Sequence, residues 1–571
     1  MTYVDAASTK VLVSGVWQDA EVRVKSGGSF PGSPAEILVP GTGVFETPWL
    51  PWNLLPSYSD TKGVWPHYFT QFLPIMNSVQ PAVGAPDYYD QFWAPPGHVE
   101  FGTNHAYYGG YTRDHPKRMP YFGGSQQNFK TKAMKVEVRQ AIQAGVDGFT
   151  IDILANSLTQ YHWQHITWLF DAVDQVNTED GTTFTLWLMM DGTSATGLDA
   201  GGTTLTDKIN ASADRMATCI ASVLNRSCYQ YRDGHPALGV FGAELWPGGT
   251  AGVDTSNNPA TNSRVAYWSR VKSKLLALTG KSVNLWACYV GDWTLSTTSG
   301  VFDGIMYGHG RWGDRDAVAV ATNNNANRLA PSHAHALYPT KKWLHFAAPY
   351  DTRPYSGGAN STPGTYYTWE GEGSLTLHGS FRAAIDGGAD GIQMTTWNDY
   401  SENAHIAPSE HHGYAYLDIA SSYIHEFKQG AQPTVVRDGT YLFHRQYNNA
   451  TVHPTGANGQ VKWSAIHGAT PVKNIVEVLA YLVTPATVEL LLDGVVVATW
   501  SGAAGRNRFE NPMPTSGSVL SCRVKRSGSV VPGSVATSPK PLVWSISYDD
   551  FTYFAASSLR QSTGQGAGGV V

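Results

Sequence analysis

"GGADGIQMTTWNDYSENAHIAPS", residues 387–409, contains the change of backbone regime on which the fold turns. Gly387 and Gly388 close the amphipathic stretch "SLTLHGSFRAAIDGG", and "ADGIQM" then reads as a short buried strand. Asp399 and Glu402 follow three positions apart, just where that strand gives out. A strand fed by a helix and ending in acidic residues is one unit of a repeat.

The same unit recurs upstream. "KTKAMKVEVRQAIQAG" (130–145) has helical spacing and stops at Gly145, and "VDGFTIDIL" follows as a strand. The helices "QYHWQHITWLFDAVDQV", "DRMATCIASVLNR" and "RVAYWSRVKSKLLALTG" alternate with the strands "FTLWLMMDG", "ALGVFGAELW", "VNLWACYV", "FDGIMYGHG" and "KKWLHFAAPY", after a first strand "GVWPHYFT". Strand–helix alternation from Val64 to Lys428 argues for a parallel sheet with helical crossovers. Roughly eight strands fit a (β/α)8 TIM barrel better than an open sheet. No Gly-rich phosphate loop opens any helix, which argues against nucleotide use.

The flanks read differently. Residues 1–60 hold short strand-like runs ("KVLVSGVW", "AEVRVKS", "AEILVPG") and a Pro-rich connection, an N-terminal β-rich attachment segment. The barrel is assigned to 62–430. Helical spacing vanishes after Gly430, and "TYLFHRQY", "IVEVLAYLV", "ATVELLLDGVVVATW", "SVLSCRVKRSG" and "LVWSISYDDF" predict a C-terminal β-sandwich over 431–557. The Gly-rich tail, 558–571, is expected to be flexible.

Composition narrows the function. At 571 residues the chain is too long for a single core, and a net charge of −6 gives no basis for nucleic-acid binding. Nineteen Trp and 29 Tyr supply flat faces that stack on sugar rings, although such residues equally fill cores. Cys219, Cys228, Cys288 and Cys522 form no metal pattern and imply no disulfide scaffold. The start has no signal-peptide pattern, and no apolar run is long enough for a membrane span.

In a barrel, chemistry gathers at the C-terminal ends of the strands. Those ends carry His67, Asp152, Asp191, Glu244, Tyr289, His309, Tyr350 with Asp351, and Asp399 with Glu402. Carboxylates collected at one rim repel one another unless they have a task. Clustered carboxylates among Trp and Tyr suit glycoside hydrolysis, in which one carboxylic acid protonates the leaving oxygen and a carboxylate activates water or attacks the sugar. Asp399 as a simple cap of the next segment is the bland alternative. Metal chemistry is the rival, since "NAHIAPSEHHG" holds His405, His411 and His412 near Glu410. The spacing matches no zinc signature and adjacent histidines are common in surface loops, so no metal or other cofactor is expected.

"TTWNDYSENAHIAP" resembles the signature of glycoside hydrolase family 71, the α-1,3-glucanases or mutanases, through Trp397, Asn398, Asp399, Tyr400, Glu402, Ile406 and Pro408. "WPHYF", "GVDGFTIDI", "LWLMMD", "FGAELW", "GTYLFHRQYNNATVHP" and "VLAYLVTPATVELL" are similar to further blocks of that family in the same order, so the likeness covers about 62–530. The resemblance implies an inverting hydrolase of α-1,3-glucan, with Glu402 as general acid and Asp399 as the base that positions water. It makes His67, Asp152, Asp191, Glu244, Tyr289, His309, Tyr350, Trp397, Asn398, Tyr400 and His405 the expected substrate-binding set. The chain departs from the pattern at Ser401 and at Asn403-Ala404-His405, which leaves the pair intact and opens the glycan's identity, a related cell-envelope or capsule polysaccharide included.

"VSGVWQDAEVRVKSGGSF" resembles segments of minor tail proteins of phages infecting actinobacteria. That resemblance implies an extracellular-acting enzyme carried on a virion, with other tail proteins as partners through residues 1–60. A bacterial enzyme exported without a signal peptide is the alternative. A homo-oligomer, and a non-catalytic glycan-binding or structural tail protein, also fit the sequence.

Overall fold

The computed structural model describes residues 50–53, 62–70, 126–153, 161–191, 203–242, 261–288, 300–306, 342–349, 370–400, 403–448, 473–544 and 552–559. It also describes a few single residues, Asp114 among them, and short strands elsewhere by their backbone. The tail beyond 559 lies outside this set.

Near the N-terminus β1 (Tyr3–Asp5), β2 (Thr9–Val13), β3 (Val16–Lys25), β4 (Ile37–Val39) and β5 (Gly43–Phe45) form an antiparallel sheet. The long β3 pairs with β1, β2 and β4.

The central unit begins at β6 (Gly63–Tyr68) and continues through α1 (Gln126–Gln143), β7 (Gly148–Ile153), α2 (Tyr161–Asp180), β8 (Thr185–Asp191) and α3 (Leu205–Ala221). A small strand β9 (Tyr231–Arg232) leads into β10 (His235–Phe241), α4 (Ser263–Thr279), β11 (Asn284–Cys288), β12 (Gly304–Met306) and β13 (Lys342–Ala347). After β14 (Asp351–Arg353) and β15 (Tyr367–Trp369) come α5 (Leu375–Asp386), β16 (Gly391–Met394) and α6 (Ala415–Gln429). Eight of these strands pair in parallel, in the cyclic order β6, β7, β8, β10, β11, β12, β13, β16 and back to β6. The sheet is closed. The connections into β12 and β13 run largely through residues outside the described set.

Strand sequences explain the closure. Alternate residues of β6, β8 and β11 aim inward, so Trp65, Trp187 and Trp286 meet edge to face across the interior with centroids 5.8 and 6.0 Å apart. Arg232, on the turn arm before β10, stands over Trp65 and Trp286 at 5.0 and 5.6 Å from their centroids and plugs that end. Outward residues such as Phe149, Ile151 and Leu188 are equally buried, beneath the helices. Hence the strands read as apolar runs rather than as strict alternation.

The helix α3 starts at Leu205, well before the "DRMATC" where its periodicity becomes obvious. Thr204 and Asp207 form a reciprocal capping box that fixes the start. The "DG" at Asp493-Gly494, both at positive φ, makes the two-residue turn of a hairpin.

The C-terminal strands form two antiparallel sheets. One contains β17 (Gly439–His444), β19 (Ile475–Leu482), β22 (Gly505–Pro512) and β26 (Phe554–Ser557). The other contains β20 (Ala486–Leu492), β21 (Val495–Gly502), β23 (Leu520–Arg526), β24 (Ser529–Val530) and β25 (Ala536–Thr537). A two-residue strand, β18 (Ala465–Ile466), joins β14 and β15 in a separate small sheet. Leu442, Val478 and Ala480 of the first sheet share a core with Leu490, Cys522 and Val524 of the second. The opposite face of the first sheet, through Tyr441, Phe443, Leu479 and Tyr481, joins the barrel's core.

Between barrel and sheet lies α6, buried at every position from Ala415 to Lys428. Its charged residues are partnered. Glu426 accepts from Arg382 at 2.8 Å and from Arg506 at 2.9 Å, Lys428 reaches Asp147 at 2.6 Å, and Tyr441 donates to Asp418 at 3.1 Å. Leu50 and Trp52, which the sequence reading placed in the attachment segment, pack here too, with Trp52 paired to Val435. All four cysteines are buried.

A Cβ at Gly304 would fall 2.4 Å from the ring of Trp286. Gly304→Ala is expected to cost about 1–3 kcal/mol in urea unfolding. In a Trp286→Leu background the same alanine should cost much less, and strict additivity of the two substitutions would contradict the interior packing.

Candidate active site

Four strand-end residues meet at one rim of the barrel. His67 is on β6, Asp152 on β7 and Asp191 at the end of β8, and Asp399 lies five residues past β16. His67 Nδ1 is 2.9 Å from Thr150 Oγ1, and its Nε2 is 3.6 Å from Asp152 Oδ1. Gln393 Nε2 donates to the same Thr150 oxygen at 2.9 Å and contacts Met189 Sδ at 3.1 Å. With that oxygen accepting from the amide, the Thr150 hydroxyl donates to Nδ1, which assigns His67 the tautomer with Nε2–H toward Asp152.

Asp152 is 1% exposed, and neither of its oxygens has a hydrogen-bond partner among the described residues. Burial pushes its carboxyl up to about 6; the charges of Asp191 and Asp399 add to the rise, and His67 opposes it. A carboxyl so held is a neutral donor at mildly acid pH and a strained anion above it. Both states favour a ligand with hydroxyl groups.

The loop after β16 is anchored to the first strand. The Trp397 N–H donates to the His67 carbonyl at 2.7 Å, which carries the β16–β6 seam past the end of β16. Asn398 then clamps Phe69, accepting from its N–H at 2.8 Å and donating to its carbonyl at 3.0 Å. Asp399 N–H donates to Thr396 Oγ1 at 2.7 Å, and the Asp399 carbonyl accepts from Ala404 N–H at 3.1 Å. These bonds fix the backbone of Asp399 on both sides.

Three expected substrate-binding residues turn inward instead. The Trp397 ring packs on Phe149 at 5.0 Å, and Tyr400 is 1% exposed. His405 is fully buried against the Tyr400 ring, 4.2 Å between centroids, with Nε2 at 2.9 Å from Asp114 Oδ2. The reason is local: the loop curls back, with Ile406 and Ala407 N–H bonded to the Thr396 and Trp397 carbonyls, and its large rings fill the space beneath. Asn398, also fully buried, acts through its clamp on Phe69. These residues support the loop rather than face the rim. His411 and His412, expected in a surface loop, are buried as well. Glu402, Glu244, Tyr289, His309 and Tyr350 lie outside the described residues.

The rim and its loop now bear on identity. Residues 364–558, from just before β15 through the Asp399 loop, α6 and both sheets of the sandwich, match the model of glycosyl hydrolase family 71. This match, together with the relative named next, supports a glycoside hydrolase. It is 21% identical over 432 residues to the glucan endo-1,3-alpha-glucosidase agn1 of Schizosaccharomyces pombe, covering 72% of this chain and 88% of that one. Among solved structures, the GH99 endo-alpha-mannosidase from Bacteroides thetaiotaomicron is 12% identical with a TM-score of 0.40, covering 66% of this chain and all of that one. A Bacteroides uniformis beta-glucuronidase 2 is 11% identical with the same TM-score, covering 73% and 44%. Overlaps of that size carry no argument about the site.

Sequence reasoning missed Glu137. It sits on the buried face of α1 beside Met134, Val138 and Ala141, so a charge on an apolar stripe was the available signal. Tyr68 Oη donates to Glu137 Oε2 at 2.7 Å and Trp397 Nε1 to Oε1 at 3.2 Å, which ties α1 to both ends of the seam. Burial pushes this carboxyl up to about 7, against the pull of those two donors. The folded hydrolase therefore holds a proton here that the unfolded chain releases near its ordinary value. The associated stability is complete below that value and is lost as the pH rises through 7. Across that window wild type should lose up to about 3 kcal/mol relative to Glu137→Gln in urea unfolding. Parallel pH profiles for the two proteins would refute this.

Proposed function

We propose that this enzyme hydrolyses α-1,3-glucan, or a closely related cell-envelope polysaccharide, by an inverting mechanism in which Asp399 activates water and Glu402 protonates the departing oxygen. The observation that carries the reading is the intact D-x-x-E pair of the sequence, whose Asp399 is pinned on the loop after β16 near the buried carboxyl of Asp152. The name of the fission-yeast relative supplies the linkage.

In this mechanism the glycosidic oxygen receives the Glu402 proton as the C1–O bond breaks. Asp399 takes a proton from the water that attacks the opposite face, and the sugar passes through an oxocarbenium-like state. Asp152 and His67 occupy the floor. Asp152 donates to a sugar hydroxyl when protonated and accepts from one when ionised, and the His67 Nε2–H faces that carboxyl at 3.6 Å. Asp191 adds negative potential that favours the cationic transition state. Glu244, Tyr289, His309 and Tyr350 belong to the same reading as further sugar contacts at their strand ends.

The substrate is a polymer outside a cell, so the enzyme acts there. Carriage on a virion rests on the resemblance of residues 1–60 to phage tail segments, and the antiparallel sheet β1–β5 is the unit through which tail proteins would attach. None of the helices among the described residues is long and apolar enough to cross a bilayer.

Incubation with α-1,3-glucan should release reducing ends, and NMR of the first product should show the β-anomer, the inverted configuration. Asp399→Asn and Glu402→Gln should each lower kcat by about 10³-fold or more while glucan binding persists. Initial release of the α-anomer would overturn inversion. Unchanged turnover in Glu402→Gln would overturn the assignment of the acid.

A further inference from the structure

Beneath the catalytic loop the chain gathers Asp114, His405 and His412 around one point, with all three buried. His405 Nε2 lies 2.9 Å and His412 Nδ1 3.2 Å from the same oxygen, Asp114 Oδ2. One donor atom from each of the three residues falls within 4.8 Å of the others. The rest of Asp114 is held by different groups. Its Oδ1 accepts from the His411 backbone N–H at 2.9 Å, and its own N–H donates to Asn403 Oδ1 at 2.8 Å. The carboxylate is thus locked in orientation with one oxygen turned toward two imidazoles.

We propose that Asp114, His405 and His412 form a buried binding site for a divalent metal ion of the zinc class. Two explanations compete for such a cluster, a shared proton or a cation. Two ring nitrogens converge on Asp114 Oδ2, while its twin Oδ1 is taken by the His411 backbone N–H. Three donor atoms of metal-ligating type, two imidazole nitrogens and a carboxylate oxygen, are thereby brought within the reach of a single ion. Bonds of about 2.0 Å to a tetrahedral ion set donor atoms about 3.3 Å apart, and the two separations at Oδ2 lie close to that. Two imidazoles with one carboxylate suit zinc, and disfavour calcium and magnesium, which take oxygen ligands.

His411 is the nearest further ligand, with Nδ1 3.8 Å from Asp114 Oδ1. The ion would be structural, since no ligand reaches the surface. It staples the segment around Asp114 to the loop carrying Asp399, because His405 packs on Tyr400 and stacks with His412, 5.2 Å between centroids. The sequence expectation of no metal rested on spacing alone; the decisive ligand, Asp114, stands 291 residues from His405 and could not enter any local signature.

The test uses untagged full-length protein, purified without chelator, dialysed, and assayed for metals by mass spectrometry. The site predicts about one zinc per chain, a lowered Tm after dipicolinate treatment, and recovery of Tm on adding zinc. Cobalt substituted for zinc should give visible d–d absorption, and His412→Gln should abolish both that absorption and the zinc content. The circular dichroism of this variant is compared with that of wild type, and His425→Gln on α6 serves as the control that retains zinc. Absence of metal in wild type, with Tm and spectrum unmoved by added zinc or cobalt, would overturn the proposal and leave a proton-bonded cluster. Undiminished zinc in folded His412→Gln would overturn the ligand assignment.

Discussion

The seam between the last barrel strand and the first is the constraint on which the rest depends. Pairing of β16 with β6 closes the sheet, and the bond from Trp397 N–H to the His67 carbonyl extends the seam into the loop. Asn398 completes it by holding both backbone groups of Phe69. A residue that leaves a strand is ordinarily mobile; here Asp399 leaves it between two anchored neighbours. That places a carboxylate from the end of the barrel beside His67 and Asp152 from its beginning. The cost is a set of buried charges, visible in Asp152 and Glu137, whose carboxyls are pushed up to about 6 and about 7.

The sandwich is part of the same construction. Its first sheet packs one face on the second sheet and the other on α6, and the contact is fixed by charges of which Glu370, Arg445 and Glu477 are buried. Glu370 accepts from Arg445 at 3.1 Å and from Tyr553 at 2.6 Å, and Glu477 accepts from Ser374 N–H at 2.7 Å and from Arg508 at 3.3 Å. Removing either member of such a pair would strand the other in a low-dielectric interface. The sandwich therefore holds α5 and α6, the helices on either side of the β16 loop, in register with the barrel. The family match, which runs from just before β15 to the end of β26, follows this mechanical unit.

The barrel was legible because closed parallel strands leave long apolar runs with acidic ends, and those runs alternate with helical spacing. His67, Asp152, Asp191 and Asp399 could be named from strand ends alone. The side of the loop facing the core could not. Trp397, Tyr400 and His405 have the composition of a sugar platform, and only the curl of residues 396–407 shows that they point down. Glu137 and Asp114 act across 260 and 291 residues of sequence, so no local pattern carried their roles. The helix α6 hid for the opposite reason: buried all round, it shows polar residues at positions where an amphipathic helix would show none.

The central claim is that the seam positions the loop carrying Asp399, proposed above as catalytic, and Asn398 is where it can be tested most directly. Asn398→Ala removes both bonds to Phe69 while leaving every carboxylate in place. The account predicts a folded protein with unchanged Tm to within a few degrees, near-normal KM on α-1,3-glucan, and kcat lowered by about 10²-fold. Wild-type kcat in this variant would contradict it.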